Sequence, residues 1–435
     1  PSMNLTVVGA GYVGLVTSAC FADLGHRVTC VDIDRARIRL LNRGKVPIFE
    51  PGLEELLARN RRQKRLVFTT SLGPAVRASQ IIFIAVGTPP KPNGEADLSQ
   101  VESVARDIGR HLNGDKVIVN KSTVPVGMGD VVASIIRNCR GGRHRFAVAS
   151  NPEFLREGSA VWDFMNPDRI VIGAGDAKTA DTVAQLFRPI NAPRLVTDIR
   201  SAEMIKVASN AFLATKISFI NEIAALCDRV GADVGEVSKG VGMDKRIGGA
   251  FLSAGAGYGG SCFPKDTLAL IAVMEREGLA PRILKATTQV NTDQRRRILE
   301  KLKAAAGPLE GRTVAVWGLA FKANTDDMRE AVSVDIIRAL REMGARVKAY
   351  DPAAMPKARA LLPGITFAKD PYDAVRDADA LLILTEWNQF KEADLKRVKA
   401  LLRRPVIVDG RNLCDLEAVR ALGFTYRGVG RGARA

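Results

Sequence analysis

The chain has 435 residues, with 64 Lys and Arg against 47 Asp and Glu, a net charge of +17, and 46% hydrophobic and 26% charged residues. At ~150 residues per domain this length predicts two or three domains. The composition is that of a globular protein, which excludes a disordered tail, a collagen and a disulfide-stapled miniprotein.

No apolar run approaches the ~18 residues that cross a bilayer, so no membrane partner is expected. The run Leu5-Thr6-Val7-Val8-Gly9 reads as a strand rather than a secretory leader. Six cysteines (Cys20, Cys30, Cys139, Cys227, Cys262, Cys414) include no C-x-x-C, and His26, His111 and His144 are widely spaced. This predicts no metal site, no disulfide framework, and the reduced thiols of a cytoplasmic protein. The basic clusters at 59–65 (RNRRQKR), 140–145 (RGGRHR), 295–297 and 403–404 read as solvated helix ends and loops that raise the local concentration of an anionic substrate. Aromatic residues make up 6%, and no recognition module accompanies the charge, so no nucleic acid is expected as a partner.

Strands alternate with helices from the start. Residues 5–8, 28–32, 81–86, 117–120, 146–149 and 170–172 carry strand patterns, and residues 13–24 and 101–111 carry helical ones. Such βαβ alternation predicts a parallel sheet wrapped by helices. From residue 201 alanine, leucine and isoleucine recur at helical spacing with no Gly or Pro until Gly231. Residues 202–230 therefore read as one long helix, and further helix is expected to about residue 304. This segment suits both a spine between lobes and a dimer surface. Strand patterns return at 313–317, 346–351, 380–385 and 406–409.

The second half echoes the first. Residues 25–32 (GHRVTCVD) match 344–351 (GARVKAYD) in pattern, and Gly9-Ala10-Gly11 matches Gly318-Leu319-Ala320, with an extra loop at 321–329. The expected fold is α/β, with two Rossmann-like doubly wound parallel-sheet lobes (1–200 and 306–435) joined by a long central helix within a helical segment (201–305).

Gly9-Ala10-Gly11-Tyr12-Val13-Gly14 is a G-x-G-x-x-G that follows a strand and opens a helix, and Asp32 ends the next strand. In that context the motif predicts dinucleotide binding. Gly9 permits the tight turn, Gly11 lets a diphosphate approach the backbone, and Gly14 lets helix and strand pack. The free N–H groups of the helix N-terminus favour the diphosphate. Asp32 is positioned for a ribose diol and repels a 2′-phosphate, which favours NAD over NADP; the nearby Arg37 softens that preference. Thr88, after the strand at 81–86, and Thr123, after the strand at 117–120, lie at the sheet edge where ligands bind. They suit cofactor contacts or ordinary hydroxyl-capped turns.

Gly259-Gly260-Ser261-Cys262-Phe263-Pro264-Lys265-Asp266 is the sharpest segment. Glycines let a ligand approach, and an ammonium or a helix N-terminus beside Cys262 supplies thiolate. Asp266, one turn on, suits a base or a water holder. Local features alone leave Cys262 open between a nucleophile and a packed thiol. Lys206 and Asn210, spaced i, i+4 on the long helix, share a face; they suit an oxyanion hole or a solvated surface. In residues 151–158 (NPEFLREG), Glu153 is a candidate base and Arg156 a candidate anion contact. A capped turn is the plainer reading of that segment.

Taken together and in order, these motifs resemble the nucleotide-sugar 6-dehydrogenases of the UDP-glucose/GDP-mannose dehydrogenase family. The resemblance covers nearly the whole chain. It includes GAGYVGL at 9–15, VDID at 31–34, FEPGL at 49–53, STVPVG at 122–127, NPEFLREG, GGSCFPKD at 259–266, FKANTDDMR at 321–329, TEWNQF at 385–390 and DGRN at 409–412. It implies NAD-dependent four-electron oxidation of the C6 hydroxyl of UDP-glucose, giving UDP-glucuronate through a thiohemiacetal and then a thioester on Cys262. GDP-mannose or another UDP-hexose is the alternative substrate. The opposing class is a nucleotide-sugar-binding protein without catalysis, which has little use for Cys262, Lys206, Asn210 and Asp266 together.

The resemblance further implies residue roles. Cys262, Lys206, Asn210, Asp266, Glu153 and Thr123 form the catalytic set. Gly9, Gly11, Tyr12, Val13, Gly14, Asp32, Arg37, Thr88, Thr123, Glu157, Lys265 and Arg329 face NAD in an NAD-binding lobe at 1–200. Glu153, Phe154, Leu155, Arg156, Glu157, Lys206 and Asn210 line the substrate cleft. Phe251, Leu252, Ser253, Ala254, Gly255, Tyr258 and Gly259 hold the nucleotide, Lys322 reaches the diphosphate from a UDP-sugar-binding lobe at 306–435, and Arg246 reaches a neighbouring subunit's substrate in a homodimer built on the central helix. One departure is visible: Met128 stands where the family has a small hydroxylic residue, which removes a capping group there.

Overall fold

A computed structural model describes residues 2–142 and 144–432; Arg143 of the basic cluster at 140–145 lies outside them. The described residues form two compact units of nearly equal size: residues 2–209 (without 143) with 268–277, and residues 210–267 with 278–432.

The first unit is built on an eight-stranded sheet. Its strands are β1 (Asn4–Val8), β2 (Arg27–Val31), β3 (Leu66–Thr69), β4 (Ile81–Ile84), β5 (Lys116–Asn120), β6 (Phe146–Ser150), β7 (Ile170–Ala174) and β8 (Arg194–Thr197), in the order β3-β2-β1-β4-β5-β6-β7-β8. All neighbours are parallel except β6 and β7. The reversal between β3-β2-β1 and β4-β5 is the switch point at which α/β sheets bind ligands. β4 (IIFI) is buried along its whole length, as a central parallel strand covered on both faces must be. One face packs Leu5, Val7, Phe21, Phe83 and Ile172; the other packs Ile82, Ile84, Ile108, Ile118 and Ile136.

The second unit repeats the plan with six strands: β9 (Thr313–Trp317), β10 (Arg346–Tyr350), β11 (Thr366–Phe367), β12 (Ala380–Ile383), β13 (Val406–Asp409) and β14 (Thr425–Gly428), all parallel, in the order β11-β10-β9-β12-β13-β14. β3, β8, β11 and β14 are edge strands that the sequence patterns missed. Their short runs show weak alternation, and pairing along one side only supports them.

The central helix runs unbroken from Ile199 to Val230, 32 residues. Helix is expected from there to about residue 304, but residues 243–262 form an irregular, glycine-punctuated segment between the helices Val234–Gly242 and Phe263–Arg276. Helix resumes at Arg282–Ala306. Among the described residues no helix is long and apolar enough to cross a membrane.

Candidate active site

In the first unit the β1 end turns into the helix Tyr12–Asp23 through Gly9, whose φ of +111° suits glycine alone. A Cβ on Gly14 would lie 1.7 Å from the Gly9 carbonyl oxygen, whereas one on Gly11 would meet open space. The turn thus packs tightly on its inner side and stays accessible on its outer side, the shape a diphosphate needs. Asp32, just past β2, accepts the Ala10 N–H at 2.7 Å and the Arg37 guanidinium at 3.0 Å on one oxygen, and the Asp34 N–H at 2.8 Å on the other. The Tyr12 hydroxyl donates to Glu50, and Glu50 also accepts the backbone N–H groups of Gly158 and Ala160, each at 2.8 Å. One buried carboxylate therefore ties the glycine turn to the 151–158 segment. Burial, then the Glu50 carboxylate beside it, pushes the Tyr12 phenol far up.

Thr88 donates to the Thr123 carbonyl at 3.0 Å, so the β4 and β5 loops are joined. Glu203 on the central helix accepts the N–H groups of Gly127 and Gly129, both at 2.7 Å. That carboxylate caps the helix Met128–Cys139, so the missing hydroxyl at Met128 leaves no orphan there. Glu153 and Lys206 form a buried ion pair at 3.4 Å, 6% and 4% exposed. The second Glu153 oxygen accepts the Leu155 N–H at 2.7 Å. Phe154 lies beneath two cations, with Arg169 at 3.6 Å and Lys206 at 5.3 Å from its ring centre. The Arg156 guanidinium engages Asp163 at 2.6 Å.

In the second unit Cys262 immediately precedes the helix Phe263–Arg276, is partly exposed, and has the Ser261 hydroxyl 3.5 Å from its sulfur. The Asp266 N–H donates to the Cys262 carbonyl at 2.8 Å, which places the carboxylate one turn along the same helix. That carboxylate is 1% exposed. Asn210 donates to one of its oxygens at 2.6 Å, and Lys265 meets the other at 2.6 Å. Three predicted residues, Asn210, Lys265 and Asp266, thus meet one helical turn along from the cysteine.

Residues 251–260 are held by side chains that sequence reading did not single out. Asn221 accepts the Gly255 N–H at 2.9 Å, Gln294 donates to the Gly255 carbonyl at 2.7 Å, and Asn291 makes a reciprocal pair with the Tyr258 backbone at 2.8 and 3.0 Å. Arg411 donates to the Gly257 carbonyl at 2.9 Å. The available signal was weak: Asn221 lies eleven residues, three helical turns, beyond Asn210, and Asn291 and Gln294 are spaced i, i+3. A Cβ on Gly259 would fall 2.2 Å from the Glu330 carbonyl oxygen. Phe251 (φ +62°) and Tyr258 both set their rings edge-on to Phe263, at 6.0 Å. The Lys322 ammonium lies 5.5 Å from the Phe321 ring, Arg329 pairs with Asp327 at 2.6 Å, and the exposed Arg246 pairs with Asp244 at 2.7 Å.

The strand-end aspartate of the second unit is arranged differently. One Asp351 oxygen accepts the N–H groups of Leu319 and Ala320 and the Trp387 indole, and the other accepts those of Ala353 and Ala354.

A dinucleotide-type glycine turn with an acidic strand end, in a chain that also carries a cysteine one helical turn from a clamped carboxylate, defines an NAD-binding oxidoreductase. Three models of the UDP-glucose/GDP-mannose dehydrogenase family match in register: its NAD binding domain at residues 3–191, its central domain at 200–293 and its UDP binding domain at 315–416. The chain belongs to that family. It is 53% identical to the UDP-glucose 6-dehydrogenase TuaD of Bacillus subtilis (strain 168), over 99% of this chain and 94% of the relative. It is 50% identical to the UDP-glucose 6-dehydrogenase of Rhizobium meliloti (strain 1021), over 99% of this chain and all of the relative. Among solved structures it is similar to a UDP-glucose dehydrogenase from the hyperthermophilic archaeon Pyrobaculum islandicum, with 46% identity, a TM-score of 0.93 and coverage of 99% and 98%.

Proposed function

We propose that the chain oxidises the C6 hydroxyl of UDP-glucose to the carboxylate of UDP-glucuronate, with Cys262 carrying the half-oxidised sugar. The carrying observation is the order Cys262-x-x-x-Asp266 at a helix start, with the Asp266 carboxylate clamped by Asn210 and Lys265. The relatives named for UDP-glucose support the substrate.

NAD⁺, when bound, takes hydride from C6, once in each of two oxidations. The Gly9–Gly14 turn and Asp32 suit its diphosphate and ribose, with Thr88, Thr123, Glu157, Lys265 and Arg329 as further contacts. The Glu153–Lys206 pair takes the proton of the C6 hydroxyl as a relay: the Lys206 ammonium hands one proton to the Glu153 carboxylate as its nitrogen accepts that of the hydroxyl, so lysine stays charged. The Cys262 sulfur then adds to the aldehyde carbon, forming a C–S bond and a hydroxyl, and so retains a reactive intermediate. Lys206 and Asn210, four residues apart on one helix, stabilise the oxyanions that precede each carbonyl. Loss of a second hydride and of the hydroxyl proton leaves a thioester. Asp266 holds and deprotonates the water that cleaves the C–S bond, which frees the carboxylate and returns the thiol. The sum is one alcohol, one water and two NAD⁺ giving one carboxylate, two NADH and three protons.

Phe154 and Leu155 border the sugar, and residues 251–259 with Lys322 hold the nucleotide. Phe212, Phe219 and Leu226 recur every seven residues on the central helix and are 66%, 51% and 55% exposed. This supports a homodimer through that helix, with Arg246 serving the neighbouring site. A cytoplasmic place of action completes the reading.

Purified protein given limiting UDP-glucose and excess NAD⁺ is expected to form two NADH per sugar. Cys262→Ala is expected to form no UDP-glucuronate. A ratio of one, or full activity in the variant, overturns the mechanism. Preferential turnover of GDP-mannose in a parallel panel overturns the substrate.

A further inference from the structure

One buried cation of the first unit has no place in the mechanism above. Lys121 follows β5 directly and is 4% exposed. Its main-chain N–H donates to the Ile84 carbonyl at 2.9 Å, which fixes the residue at the sheet's carboxyl end. Its ammonium donates to Asn151 Oδ1 at 2.9 Å, and Asn151 in turn donates to the Val171 carbonyl at 2.9 Å. The ammonium also lies 5.8 Å from the ring centres of both Phe164 and Phe187. One neutral acceptor and two aromatic faces make a poor substitute for water around a charge.

Two charged groups act on Lys121: Glu153 from the segment after β6 and Lys206 from the central helix. Burial pushes the Cys20 thiol of the helix Tyr12–Asp23 far up, so it stays protonated and adds no charge. Asn151, Phe164 and Phe187 complete the surroundings and carry no charge. Two buried ammonium groups, those of Lys121 and Lys206, therefore share the field of the Glu153 carboxylate. Burial, opposed by Glu153 and reinforced by Lys206, brings the Lys121 amine down to about 8.

We propose that Lys121 is a positioning residue that acts through the Glu153–Lys206 pair, its buried charge setting the pH at which that pair gives up and takes back the C6 proton. The inference rests on the proposed oxidation, because it assigns the proton transfer to that pair. A positive neighbour lowers the proton affinity of both groups, so its removal raises the affinity of both. In a partly polarisable interior, one nearby unit charge is worth about one pH unit to the groups it acts on.

The test compares pH profiles of kcat with UDP-glucose and NAD⁺ for the wild-type protein, Lys121→Met and the milder Lys121→Gln. The variants' profiles are expected to move to higher pH by about one unit, with KM for both substrates little changed and with kcat recovering toward wild type as pH rises. Superimposable profiles, or a loss equal at every pH, overturn the proposal and leave Lys121 as packing. A measurement on the wild-type protein alone keeps the idea testable if the variants do not fold: ¹³C NMR of Cε-labelled lysine. A resonance titrating near pH 8 supports the proposal, and the absence of any lysine titrating well below the usual range overturns it. If wild type forms no NADH from UDP-glucose, the proposed function fails on its own, and the NMR titration still decides the charge state of the cluster.

Discussion

His26 sits between two backbone groups that ask different things of its ring. Nδ1 accepts the Met3 N–H at 3.3 Å, so Nε2 carries the proton and faces the Leu186 carbonyl at 3.1 Å. Only the neutral imidazole satisfies both. Burial accordingly holds its pKa below the usual histidine range, although the Leu186 carbonyl pulls the other way. The unfolded chain, with histidine near ~6.5, takes up the proton first as pH falls. The stabilisation is intact above that value and is lost as pH drops through it toward the folded-state pKa. His26→Gln is expected to flatten the decline of melting temperature between pH 7.5 and 5.5; an unchanged slope removes His26 from the account. At this scale the sequence was most legible where a short motif carries its own context, as at Gly9–Gly14 with Asp32; at Cys262 and Asp266 local features left the role open. It was least legible where one side chain serves distant backbone. Glu50 reaches residues 158 and 160, and Glu203 reaches 127 and 129, across gaps that no local pattern spans.

The central helix is an element whose exposed apolar residues keep a regular interval. Phe212, Phe219 and Leu226 lie two turns apart, and Val230 follows at 66% exposure. Repeats of seven on a helix of 3.6 residues per turn drift only ~20° per step, so the row stays on one side. Phe219→Asp is expected to convert a dimer to a monomer in sedimentation velocity while leaving helix content unchanged, since the side chain contributes little to its own unit's core. A variant that stays dimeric removes this face from the proposed interface. The length of this helix was readable because thirty residues without glycine or proline permit little else. The neighbouring segment was misread as helix, although seven glycines fall between residues 242 and 260. Its path depends on Asn221, Asn291, Gln294 and Arg411, which supply from outside the hydrogen bonds that a helix makes within itself.

Over the molecule as a whole, the +17 charge offers an anionic nucleotide sugar an attractive field. The Debye length shrinks from about 30 Å at 0.01 M salt to about 8 Å at 0.15 M. The value of kcat/KM for UDP-glucose is therefore expected to fall over that range, with kcat steady, because the field acts on encounter and not on chemistry. A salt-independent kcat/KM would show that the surplus charge is spread too thinly to steer. The doubling of the sheet plan was legible from 25–32 and 344–351, since strand, glycine and aspartate recur together. Which copy reads a dinucleotide was legible too, because Gly9–Gly14 is a full G-x-G-x-x-G that Gly318-Leu319-Ala320 does not repeat; what surrounds each aspartate was not. Asp32 spends its acceptor capacity on three donors, one of them the partly exposed Arg37 guanidinium. Asp351 meets five, four amides and an indole, more than its roughly four lone pairs. A chain with two matching halves risks having its coenzyme lodge in the wrong one. By filling that acidic corner with its own main chain and Trp387, the second half withdraws from the competition, and a single address remains for the redox partner.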